Sequence, residues 1–107
     1  RIEVSNKLSY FNNIIFVDDL AKFVMKSINT KKLKYEFMNI ASNKKMRIVD
    51  VIKFIYLRLN IKENIKWIKT ENKSFCIDFS NALKCGYKPV SVKKSLINFT
   101  NDHLKRL

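Results

Sequence analysis

Two adjacent carboxylates, Asp18 and Asp19, sit in "IIFVDDLAKFV" between a short apolar run and an apolar-periodic one. Such a pair can bind a metal, divide acid and base roles, or open a helix. A metal would need further oxygen ligands, for which Asp50 and Asp78 are the only weak candidates. Leu20, Phe23, Val24 and Ile28 follow at helical spacing, which favours the third use. Asp18 then serves as N-cap, and Asp19 lies in the first turn, where the helix dipole favours negative charge. Other reactive side chains are sparse. The one histidine, His103, falls in a lysine-rich final helical turn, a place better suited to solvation or to the dipole than to catalysis. Cys76 and Cys85 lack metal-ligand spacing and read as reduced thiols. A chain with a single glycine has no Gly-rich phosphate loop, and no GxSxG elbow occurs. No catalytic residue and no metal site is assigned.

The elements that would position any site are short. The 107 residues allow one small core and too little for two ordinary domains. A hydrophobic share of 47% sets the chain apart from disordered tails. Charges interrupt every apolar run below membrane-spanning length, and the start "RIEVSNKLSYF" lacks a continuous apolar leader core. The expectation is a cytoplasmic protein without a membrane partner. The net charge of +13 could mark a phosphate-rich partner. Lysine is scattered along the chain, however, together with abundant Asn and Ile. Pairs such as Lys31-Lys32, Lys44-Lys45 and Lys93-Lys94 occur without any block of five or six, so compositional bias takes the larger share.

Residues 1–13 read as polar and irregular, and 14–17 as a strand or an extended lead-in to the first helix. "NTKKLK" is a polar break. "YEFMNI" (35–40) alternates and predicts a strand, followed by the loop "ASNKK". A second helix starts at Ile48, with Ile48, Val51, Ile52, Ile55 and Leu59 on one stripe. "IKWIK" (65–69) predicts a short strand, "TENKS" a loop and "FCIDF" an extended piece. Ser80 is placed to cap a short helical turn through Leu83. Gly86 fits a left-handed C-terminal position or a turn. Pro89 stops helix continuation, and Ser91 caps a last helix with Val92, Leu96, Phe99 and Leu104 along one side. The class is α/β, with short strands and three helices around a thin core. Such a sheet should pack on something else.

Four segments in order carry a family pattern: "FVDDLAKFV", "YEFMNIASNKKMRIVDVIKFI", "DFSNALKCGYKP" and "SVKKSLINF". Together they resemble the C-terminal part of the extended short-chain dehydrogenase/reductases, the NAD-dependent epimerase/dehydratases of nucleotide sugars. The resemblance covers nearly all of residues 14–100. It implies that residues 1–107 are one partial domain, the substrate-binding C-terminal portion without the Rossmann N-terminal half. The parent would oxidise a sugar transiently with bound NAD or NADP. This segment would bind no cofactor alone, because the cofactor loop and the Tyr-x-x-x-Lys pair lie upstream. Its partners would be a nucleotide-sugar substrate and the Rossmann half.

The resemblance also implies substrate-binding positions. Asn12 or Asn13 stands where the family often has an arginine that holds nucleotide or phosphate. Lys69 and Lys73 occupy the region of a second arginine, and lysine holds phosphate as a point charge without the bidentate fork. Asn81 replaces the lysine of "SKA", and Arg47 replaces the usual capping Ser or Thr. If the family assignment holds, the apolar face of the helix over 18–28 is left without a partner. The alternative is a small basic nucleic-acid-binding or interaction domain, since "KWIK" and "KYEF" interleave cations with aromatic rings. It takes second place because Trp67 and Tyr35 lie in apolar, strand-like segments.

Overall fold

A computed structural model describes residues 2–30, 35, 37–70 and 73–106. The polar break "NTKKLK" and the loop "TENKS" fall partly outside the described residues, at 31–34 and 71–72. The elements run β1 (Ile2–Val4), β2 (Tyr10–Phe11), α1 (Val17–Ile28), β3 (Met46–Arg47), α2 (Ile48–Leu59), β4 (Ile65–Trp67), α3 (Ser80–Lys84) and α4 (Val92–Lys105). The α/β character holds, but the described residues form four helices where the sequence predicts three, because the turn at Ser80 closes into a short helix.

Among the described residues, two small sheets form. β1 pairs parallel with β4, Ile2 opposite Ile65 and Val4 opposite Trp67. β2 pairs antiparallel with β3, Tyr10 opposite Arg47. The segment before residue 13 is therefore not irregular. Its three-residue strand gains order from a partner more than sixty residues away, which no local pattern announces. Residues 14–16 stay unpaired as a lead-in. Residues 37–40 form no strand, yet they keep the expected alternation: Met38 and Ile40 pack on the core while Phe37 and Asn39 point out.

Helix ends are set by distinct devices. The cap of α1 lies two residues before the expected Asp18. Phe16 is the extended cap residue, and its carbonyl accepts from the Asp19 and Leu20 N–H groups. Asp18 is thus inside the first turn with Asp19, where both meet the positive helix end. α2 has no side-chain cap at Arg47. Its first two N–H groups, from Ile48 and Val49, donate instead to the carbonyls of Ser9 and Lys7 at 2.9 and 3.0 Å, meeting the requirement that terminal donors find acceptors. α2 ends with Asn60 at φ 54°, and Ile61 N–H reaches back to Tyr56 O. α3 ends alike: Gly86 has φ 88°, its N–H donates to Leu83 O, and Tyr87 N–H donates to Ala82 O. Both are Schellman closures. At the start of α3 the acceptor is Asp78 rather than Ser80: its carboxylate takes the Ser80 N–H at 2.9 Å. Ser91 caps α4 as expected, accepting from Lys94 N–H at 3.1 Å.

The core is divided. Phe23, Ala82 and Tyr87 form one cluster, with Ile15, Met38, Ile40 and Phe79 packed around it. The Tyr87 ring meets Phe23 and Phe79 edge-on, and its hydroxyl donates to Ala41 O at 2.6 Å. Val51, Val92 and Leu96 form the second cluster, between α2 and α4. α4 buries Val92, Ser95, Leu96 and Thr100, while Phe99 and Leu104 face outward. Small hydroxyl residues fill buried positions there and bond to side chains of other elements. Ser95 Oγ lies 3.1 Å from Ser42 Oγ, and Thr100 Oγ1 accepts from Arg58 Nε at 3.2 Å. On α1 only Phe23 is buried. Val17, Val24 and Ile28 lie along an exposed stripe.

Candidate functional site

Asn12 joins three parts of the chain. Its carbonyl accepts from the Ile14 and Ser42 N–H groups at 2.8 and 3.1 Å. Its side-chain amide donates to Ile77 O at 2.9 Å and accepts from Ile77 N–H at 2.7 Å. This amide behaves as a one-residue strand neighbour for the segment 75–79, and only a side chain with both a donor and an acceptor can do so. Asn12 is 5% exposed. Asn13, next to it, is exposed to solvent.

The clamp holds residues 75–78 beside 38–40. A groove of about 480 Å³ runs between them, lined by Met38, Asn39 and Ile40 on one side and Phe75, Cys76, Ile77 and Asp78 on the other. It continues past Phe37, Ser80 and Asn81. Phe37 and Phe75 are 82% and 71% exposed, which is unusual for phenylalanine. The Asp78 carboxyl is held below its ordinary range, first by the Ser80 N–H and then by the Ser80 hydroxyl. The groove therefore offers two aromatic faces, a carboxylate and the amides of Asn39 and Asn81. Sequence reasoning passed over Phe37 and Phe75. The signal was present, since the alternation of "YEFMNI" puts Phe37 on the face opposite Met38 and Ile40.

Lys69 and Lys73 are exposed beyond the end of β4. Neither they nor Asn13 line this groove. Of the four residues proposed for substrate from sequence, Asn12 alone joins its framework. On β1, β2 and their partners, cations lie over rings instead. Lys7 Nζ is 5.4 Å from the Trp67 ring centroid, and Tyr10 has Lys45 at 4.6 Å and Arg47 at 5.5 Å. The described residues bring together no three of His, Cys, Asp and Glu that could hold a metal.

No protein-family model matches the sequence, and no curated protein matches it either. Among solved structures it is similar to RMD from Pseudomonas aeruginosa complexed with NADPH, with a TM-score of 0.70 at 15% identity. The two share a fold. The match takes in 99% of this chain and 36% of that one, so the chain spans about a third of that protein's length.

Among the described residues, Gly86 and the starts of α1 and α2 are poorly placed to cradle a dinucleotide. Gly86 lies at a helix C-terminus, where Lys26 Nζ would stand 2.6 Å from an added Cβ. The start of α1 carries Asp18 and Asp19, which repel a pyrophosphate. The first N–H groups of α2 are taken by Lys7 and Ser9. None of the described helices is long and apolar enough to cross a membrane.

Proposed function

We propose that this chain is the substrate-binding C-terminal part of an NAD(P)-dependent nucleotide-sugar epimerase, dehydratase or reductase of the extended short-chain dehydrogenase/reductase type. The observation that carries it is the fold match over 99% of the chain to part of a protein complexed with NADPH, in the region where four family-like segments follow one another in order. The dinucleotide and the hydride chemistry belong to the absent half. This part contributes a wall for the nucleotide sugar. Asn13, Lys69 and Lys73 are assigned to its phosphates as exposed polar and cationic groups. Asn12 acts from behind by fixing the segment 75–79. The open stripe of α1 is the face that the Rossmann half covers.

Thermal shift measurements with UDP-, dTDP- and GDP-sugars, beside a salt titration with a generic oligonucleotide, test this assignment. Stabilisation by a nucleotide sugar supports it. Oligonucleotide binding that falls steeply with salt, with no nucleotide-sugar shift, replaces it with the second reading. That reading, a basic nucleic-acid-binding or interaction domain, has its own observation in the Lys7–Trp67 and Tyr10–Lys45–Arg47 pairs.

A further inference from the structure

The two-stranded sheet of β2 and β3 has two unlike faces. Phe11 and Met46 stand opposite each other in it, and both pack on the core between α2 and α4. Alternation along the strands turns their neighbours the other way. Tyr10 and Arg47, the second cross-strand pair, are exposed, and so is Lys45, two residues before Arg47. Lys45 Nζ lies 4.6 Å from the centre of the Tyr10 ring, and the Arg47 guanidinium lies 5.5 Å from it, so one ring gathers two cations. A third cation comes from the turn before β2. Lys7 O accepts from the N–H of Val49, two residues past Arg47, and Lys7 Nζ stands 5.4 Å from the centre of the Trp67 ring. Among the described residues, the single ion pair joins Arg106 to Asp102, so none of these three cations has a carboxylate partner.

We propose that this outer face of the β2–β3 sheet docks the phosphodiester backbone of a nucleic acid, without sequence preference. The aromatic rings hold the cations over the sheet while leaving them exposed to solvent. Like charges gathered on one ring repel each other, and a row of phosphates relieves that repulsion. Binding also releases the counterions condensed on the nucleic acid, which is the main source of affinity without sequence preference. A chain of phosphates fits better than a small anion. The cations are spread over a sheet face and its flanking turn, where they can meet successive phosphates. The face uses none of Asn13, Lys69 and Lys73, so it stands or falls apart from the nucleotide-sugar assignment.

The test is the fluorescence anisotropy of a labelled oligothymidylate titrated with the 107-residue chain at several salt concentrations. Phosphatidylserine vesicles serve as a second anionic probe. The expected slope of log affinity against log salt is about −2, from three phosphate contacts on a single strand. Lys45→Gln combined with Arg47→Gln should weaken binding about tenfold or more and bring the slope to about −0.7. Neither position threatens the fold, since both side chains are exposed and Arg47 makes no side-chain cap. Lys93→Gln combined with Lys94→Gln removes the same charge elsewhere and should change affinity less than about twofold. Equal losses from the two double variants would mean that only the net charge acts, and would overturn the assignment. So would an absence of oligonucleotide binding, or vesicle binding that depends on Lys45 and Arg47 while oligonucleotide binding does not.

Discussion

Asn12 and Tyr87 each join segments that are distant in sequence through one polar side chain. Asn12→Ala removes both bonds to Ile77 and strands a part-buried N–H and carbonyl. The expected loss is about 1–3 kcal/mol in urea unfolding. Asn12→Asp should also destabilise, since a carboxylate accepts from Ile77 N–H but repels its carbonyl. Tyr87 carries a pH dependence. Burial raises its pKa above 10.0, and the Asp19 charge raises it further. A raised pKa means the folded state holds the proton more tightly. Its contribution is complete below the unfolded pKa and is lost as pH rises through the folded value. Stability should therefore fall as pH rises from about 10 upward, and Tyr87→Phe should flatten that decline while lowering stability at neutral pH. Chemical denaturation across this range measures both effects. The Tyr87 ring was legible as an aromatic in the "GYKP" turn. Its bond to Ala41 was not, because nothing local links two residues 46 positions apart.

At the scale of elements, the positions that stop helices are better defined than those that start them. Gly86 and Asn60 both hold positive φ at Schellman closures. Gly86→Ala should cost about 1–2 kcal/mol from the left-handed backbone alone, because the flexible Lys26 side chain can move off the new methyl. Asn60→Gly should gain a few tenths to about 1 kcal/mol, and the pair of variants compared in thermal melts checks the sign of each effect. The helical spans over α1, α2 and α4 and the Ser91 cap were legible, since periodicity and capping are local. The start of α2 was not, because its caps are the carbonyls of Lys7 and Ser9. The outward turn of Phe99 was also hidden. Helical spacing admits two neighbouring stripes, and close packing chose the one with Ser95 and Thr100.

The whole molecule is a thin slab, with extents of 49 × 37 × 18 Å. Its radius of gyration is 16.0 Å, against about 13 Å for a compact chain of this length. Its accessible surface is 8161 Å², roughly a third above the ~6,200 Å² usual for a monomer of this mass. The excess includes Val17, Val24 and Ile28 on α1 and the rings of Phe37 and Phe75. A split core and an open apolar stripe leave much apolar surface facing solvent. That thinness was legible in the count of short strands. The groove beside residues 75–78 was not, because Asn12 creates it across 65 positions. Amide shift mapping with a nucleotide sugar tests the substrate-binding assignment most directly. The expected result is shifts over Asn13, Lys69, Lys73 and residues 75–78 produced by the nucleotide sugar. Shifts confined to Tyr10 and Trp67, produced by an oligonucleotide and abolished by salt, with none from any nucleotide sugar, would contradict it.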